Sequence, residues 1–135
     1  MKKEHQSIIG KITQFLEDHP DQRFGQAIFN LRINEFQKST DPKNPFRALR
    51  DIYNDSDSEI IKRIEGQLEW FDLQGSVRAG IEDVVGLQSM TVNERLFATG
   101  LFDLFNTYKK SNKGYAEYIL QALKVDSESI RKILK

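Results

Sequence analysis

The stretch MTVNERLFATGLFDLFNTY at 90–108 constrains the fold more than any other part of the chain. Val92, Leu96, Leu101, Leu104 and Phe105 recur at helical spacing, the period of an element with one apolar stripe. Phe97, Phe102 and Tyr108 extend the stripe beyond one face, which predicts a helix contacted from two sides. Thr91, followed three residues later by Glu94, fits a capping box in which each side chain satisfies an otherwise unpaired backbone N–H. Gly100 falls mid-helix, where it costs about 1 kcal/mol relative to alanine. Its expected role is to let another helix approach closely. The helix over 91–108 is therefore expected to be central and among the most buried elements.

Helical periodicity recurs on both sides of it. Ile8, Ile9, Ile12, Phe15 and Leu16 form one face of a helix expected over 7–18, ended by His19-Pro20 because proline disfavours helical backbone in the residue before it. Asp21 is the expected N-cap of a second helix facing inward through Phe24, Ala27, Ile28 and Leu31. Turn-forming residues dominate 37–45, which reads as the longest loop. The following FRALRDIY predicts a short helical turn with Phe46, Leu49, Ile52 and Tyr53 inward. Ser56 and Glu59 make a second capping box, opening a helix with Ile60, Ile61, Ile64, Leu68 and Phe71 on its stripe and Trp70 beside it. Gly75, Gly80 and Gly86 punctuate the next segment, so a separate short helix is expected over 76–85. A basic turn at 109–113 precedes a helix bearing Tyr115, Ile119, Leu120 and Leu123. Asp126 or Ser127 caps a last one bearing Ile130, Ile133 and Leu134. Sustained apolar–polar alternation is absent, so no strand is expected. The fold class read from this pattern is all-α: a compact bundle of six to eight helices around 91–108, a single domain over 1–135 in which 1–72 and 73–135 are lobes sharing one core.

Composition narrows the function classes. Hydrophobic residues at 39% and charged residues at 30% belong to an ordinary globular chain. No apolar run approaches the roughly 20 residues of a membrane span, and the N-terminal MKKEHQSIIGKI lacks a signal peptide's apolar centre. A cytoplasmic protein with no membrane partner is expected. Twenty basic residues balance twenty acidic ones, which argues against direct nucleic-acid binding, since phosphate neutralisation needs a basic surface. Residues 1–72 hold 11 basic and 13 acidic side chains, and 73–135 hold 9 and 7; a difference of −2 against +2 implies no partner by itself.

The familiar chemistries fail on spacing. The acidic run Asp51, Asp55, Asp57, Glu59 invites a calcium loop, but counting from Asp55 puts Ile60 where glycine is needed and Gly66 where glutamate is needed. The run reads instead as carboxylates favoured at a helix N-terminus, or as an acidic binding patch. His5 and His19 share no metal-binding spacing, and with no cysteine there is no thiolate site. Ser76 lacks the second glycine of a nucleophile elbow, and no phosphate-binding loop is present. Glu17-Asp18 and Glu82-Asp83 are sequence neighbours and point differently around a helix. No metal, no cofactor, no catalytic residue and no enzymatic activity are expected. The aromatics say more. Most fill the core, while Phe29, Phe36, Phe46 and Trp70 fall off the main stripes and suit a partner surface. Aromatics and carboxylates coincide in one region, so the expected partner-binding residues are Asp51, Tyr53, Asp55, Asp57 and Glu59 with Phe46 and Trp70.

Two stretches resemble known sequences. PDQRFGQAIFNL at 20–31 resembles the PDxRFGQ-type helix start of small bacterial and phage proteins. Met90, Asn93, Glu94, Arg95 and Leu96, continuing to Gly100, Leu101 and Asp103, resemble the M-x-x-NERL-x-x-x-GL-x-D opening of short bacterial proteins. Such small helical proteins are similar to immunity proteins of polymorphic and contact-dependent growth-inhibition toxin systems. The resemblance implies a monomeric or weakly dimeric immunity factor that neutralises a cognate bacterial toxin, a nuclease among the options, by direct protein–protein contact. An acidic patch would then face a basic toxin. Two other classes compete: a small-ligand-binding protein or enzyme with a pocket between helices, and a helical adaptor or phage-derived regulatory protein. A toxin gene next door favours the first, a deep polar pocket near Arg23 and Arg95 the second, and a self-complementary apolar surface a structural dimer.

Overall fold

The computed structural model of the chain describes residues 1–37 and 48–135. Seven α-helices and no strand occur among the described residues, and helix accounts for 69% of the chain. In order these are α1 (Lys3–Asp18), α2 (Phe24–Asn30), α3 (Asp57–Glu82), α4 (Val92–Ala98), α5 (Phe102–Ser111), α6 (Lys113–Ala122) and α7 (Ser127–Ile133), with a 3-10 turn at Leu87–Ser89. The expected all-α class holds. The chain divides into two compact units, Met1–Trp70 and Phe71–Lys135, the division falling within α3.

In the first unit α1 packs on α2. Phe15, Ala27, Leu31, Ile33 and Ile64 are buried, the positions that the apolar period places on facing stripes. Phe24 is not among them: 63% exposed, it points away from the face expected for it. Helix α2 starts at Phe24, with the Gln26 side chain accepting from the Arg23 N–H at 2.9 Å, so Arg23 rather than Asp21 is the N-cap. After α2 the chain turns through Arg32 in the left-handed region, φ 61°. The Arg32 N–H bonds to Phe29 O at 2.9 Å and the Ile33 N–H to Ile28 O at 3.2 Å, the paired bonds of a Schellman turn.

The turn expected over 46–53 is not helical where it is described. Phe36 and Leu49 form an isolated antiparallel bridge, with Gln37 N–H donating to Ala48 O and Arg50 N–H to Glu35 O, both at 2.8 Å. Phe46 and nearly all of the expected loop at 37–45 lie outside the described residues.

Helix α3 opens as expected: Ser56 Oγ accepts from the Glu59 N–H at 3.2 Å, and Glu59 returns a carboxylate to the Ser56 N–H at 3.3 Å. It then continues unbroken for 26 residues, through Gly75 and Gly80, two of the three glycines expected to divide it. Packing of Ile64, Leu73 and Val77, all buried, outweighs a propensity cost of about 1 kcal/mol per glycine. The separate helix over 76–85 does not exist; α3 ends at Glu82 and Val85 is 90% exposed.

In the second unit α5 packs on α6, α4 on α5 and α6 on α7. The single helix expected over 91–108 is two. Thr91 caps α4 with Glu94, as the sequence predicts, but α4 stops at Ala98. Gly100 adopts φ 71°, and Gly100 N–H to Phe97 O at 3.1 Å with Leu101 N–H to Leu96 O at 3.0 Å close a second Schellman turn. A Cβ on Gly100 would meet nothing within 4 Å, so this glycine serves conformation rather than close approach. The close approach is at Gly80, where a Cβ would lie 2.5 Å from Thr99 O. Phe97, expected to face a second neighbour, is 66% exposed. The most deeply buried element is α6, whose Ala116, Ile119 and Leu120, with Leu123 just beyond, are fully enclosed.

Candidate functional site

The segment before α3 holds most of the residues expected to contact a partner, and its carboxylates are already engaged. Asp55 accepts from Arg50 Nη1 at 2.9 Å and Arg50 Nη2 at 2.6 Å, and Arg63 Nη1 lies 2.9 Å away. Its side chain is 11% exposed. The Arg50 hydrogen bond above all, with Arg63 behind it, pulls the Asp55 carboxyl from 3.8 down to about 2. Arg50 is held charged by the same bond, and also reaches Glu35 at 3.0 Å. Glu35 in turn accepts from Arg32 at 3.3 Å. Three arginines and two carboxylates thus form one chain of paired charges from Arg32 to Arg63.

The remaining acids are divided. Asp51 accepts from the Tyr53 N–H at 2.9 Å, closing a local turn and leaving the Tyr53 ring 87% exposed. Asp57 lies 3.1 Å from His5 Nε2, and Glu59 is the cap of α3. The structure therefore gathers Asp51, Tyr53, Asp55, Asp57 and Glu59 in one short segment. Trp70 stands apart, about 16 Å along α3 from Glu59 at 1.5 Å rise per residue. Phe46 lies outside the described residues. Within the segment Asp55 is neutralised by two arginines, while Asp51 and Glu59 are held by backbone N–H groups and Asp57 lies against His5; the apolar period carries no signal that Arg50 and Arg63 will meet Asp55.

A different feature is more open. Phe29 at the end of α2 and Phe36 on the bridge meet edge to face, centroids 5.0 Å apart and planes at 66°. Both remain substantially exposed, as does Leu49 across the bridge. Their rings wall a groove of about 830 Å³ whose polar lining includes Arg32, Glu35, Arg50 and Gln67. The period of the apolar stripes marks Phe29 and Phe36 as surplus to the core. Their meeting, and the arginine–carboxylate rim beside them, depend on the bridge that the sequence does not reveal.

Compared with protein-family models, curated proteins and solved structures, the chain matches none.

Arg95, within the NERL stretch, is equally tied up. Its guanidinium donates to Met90 O, Leu123 O and Lys124 O, each at 3.0 Å, and to Gln88 O at 3.2 Å. It pairs with no carboxylate among the described residues; four backbone carbonyls take its donors, which makes it a brace for the turns around α4 and α6. Among the described residues no three His, Asp or Glu side chains gather where they could share a metal ion. No helix among them is long and apolar enough to cross a membrane.

Proposed function

We propose that the chain is a protein-binding factor and, following the resemblance carried by 20–31 and 90–103, an immunity factor that neutralises a cognate bacterial toxin by direct contact. One observation supports the binding reading above others: the exposed Phe29–Phe36 pair beside a rim of ion pairs already locked in place. Aromatic side chains on fixed elements serve as interface anchors because they bury large areas with few rotors to freeze. A rim whose charges are mutually satisfied costs little further ordering when a partner arrives. Tyr53, projecting from the turn closed by Asp51, is a second anchor of the same kind.

The experiment is binding to, and growth protection against, the proteins encoded by the neighbouring genes, with the purified full chain. Phe36→Ala and Tyr53→Ala, both at exposed positions, should keep the parent's thermal midpoint yet weaken binding by about thirtyfold or more, the threshold of an interface hot spot. A parent chain that neither binds nor protects overturns the immunity reading. Binding that is indifferent to both substitutions moves the interface off this face.

A further inference from the structure

The second unit holds a cleft that owes nothing to the partner surface just described. It opens between α4, α5 and the end of α7, encloses about 390 Å³, and is floored by Leu96, Phe102, Phe105 and Ile133. That volume falls within the range of small-molecule sites, which join an apolar body to a few orienting polar groups. Leu96 and Phe105 are almost fully buried and form a fixed floor. Phe102 is stacked on Phe97 at 4.3 Å with planes 15° apart, which holds its ring as one wall.

Four polar side chains ring this floor: Thr91, whose hydroxyl is taken up in capping α4, Asn93 from α4, and Asn106 and Lys109 from α5. Phe102, Phe105, Asn106 and Lys109 fall at i, i+3, i+4 and i+7, so one stripe of α5 grades from aromatic to cationic across the cleft. Among the described residues Lys109 is the sole ionisable side chain lining it. Arg32, Arg50, Arg63 and Arg95 are taken up by carboxylates or carbonyls; Asn93, Asn106 and Lys109 make no side-chain hydrogen bond or ion pair with any described residue. An apolar floor ringed by one cation and two uncommitted carboxamides is complementary to a molecule with an apolar body and a single anionic, hydrogen-bond-accepting head.

We infer that this cleft binds a small amphipathic organic carboxylate, its aryl or short alkyl body against Phe102, Phe105 and Leu96, its carboxylate on Lys109 and its remaining acceptor capacity on the Asn93 and Asn106 amides.

Amide chemical shifts of the isotope-labelled full chain, titrated with phenylbutyrate, test this. Saturable shifts at Asn93, Asn106 and Lys109 are expected, with the cationic isostere phenylbutylamine binding at least about tenfold more weakly. Lys109→Gln, at an exposed position, should weaken phenylbutyrate by about tenfold without moving the thermal midpoint and abolish the preference over the amine; Lys109→Arg should retain both. The inference is overturned if phenylbutyrate produces no saturable shift at these positions, if the amine binds equally well, or if Lys109→Gln leaves the affinity unchanged. Shifts of the same residues with protein concentration alone would assign the cleft to a second copy of the chain and overturn it as well.

Discussion

Arg63 and Arg95 each reach across about thirty residues to grip the carbonyl of a residue held in the left-handed region. Arg63 donates to Arg32 O at 2.9 Å and Ile33 O at 3.0 Å; Arg95 donates to Leu123 O and Lys124 O. Arg32 and Lys124 have φ of 61° and 65°, a conformation costing a non-glycine residue roughly 1–2 kcal/mol. In both cases a guanidinium satisfies carbonyls of the turn that follows the helix, which have no place in the helical ladder. Arg95→Met should therefore lower stability by about 2–3 kcal/mol, the scale of hydrogen bonds from a charged donor, read as a fall in the urea midpoint. Lys124→Gly should do the opposite. The lysine makes no side-chain bond to a described residue, and removing its Cβ relieves the left-handed strain, so a gain of about 0.5–1 kcal/mol is expected in the same assay.

At the scale of the element, two glycines separated by twenty residues solve one packing problem. Gly80 leaves room on α3 for the Thr99 carbonyl, and Gly100 lets the chain turn immediately after it. Gly80→Ala should cost about 1–3 kcal/mol through overpacking against rigid backbone. Gly75→Ala, where a Cβ would meet nothing within 4 Å, should stabilise α3 by about 0.5–1 kcal/mol; equal effects at the two sites would show that no close crossing exists at Gly80. The ion-paired segment before α3 makes a pH prediction. The Asp55 carboxyl is depressed from 3.8 to about 2 on folding, so its contribution is full above the unfolded value and is lost as pH falls from about 4 towards 2. Asp55→Asn should be less stable than the parent at neutral pH, and the difference in urea midpoint should shrink across that acid window. Asp126, also depressed through its bonds to Ser129, is present in both chains and cancels in the comparison.

For the whole molecule, charge balance limits what electrostatics can contribute. Net charge is zero, and most carboxylates of the segment expected to attract a basic partner are engaged within the chain. Association through the Phe29–Phe36 face should accordingly lose less than about tenfold in rate constant between low and physiological salt, with the aromatic substitutions acting on dissociation. Stopped-flow measurement at several ionic strengths checks this, and a steep salt dependence would return the interface to Asp51, Asp57 and Glu59.

Local rules determined much of this protein from its sequence. The 3.6-residue period specified helices, and Thr91–Glu94 and Ser56–Glu59 specified two helix starts, because a cap bonds only to its own first turn. The surplus of Phe29 and Phe36 over the core was legible for the same reason: periodicity counts which positions a stripe can bury. Helix continuity was not local. Gly75 and Gly80 sit inside α3 while Gly100 ends α4, since a glycine either survives in a helix through packing or terminates it through a left-handed turn, and the distinction lies in what surrounds it. The state of the carboxylates was not local either. Glu35 is paired by Arg50 fifteen residues further on, across the bridge, and Arg95 is spent on carbonyls nearly thirty residues away, pairings created only when the chain returns on itself. Tertiary structure alone decided which charged groups were left over to meet something else, because their partners are set by the path of the chain and not by its period.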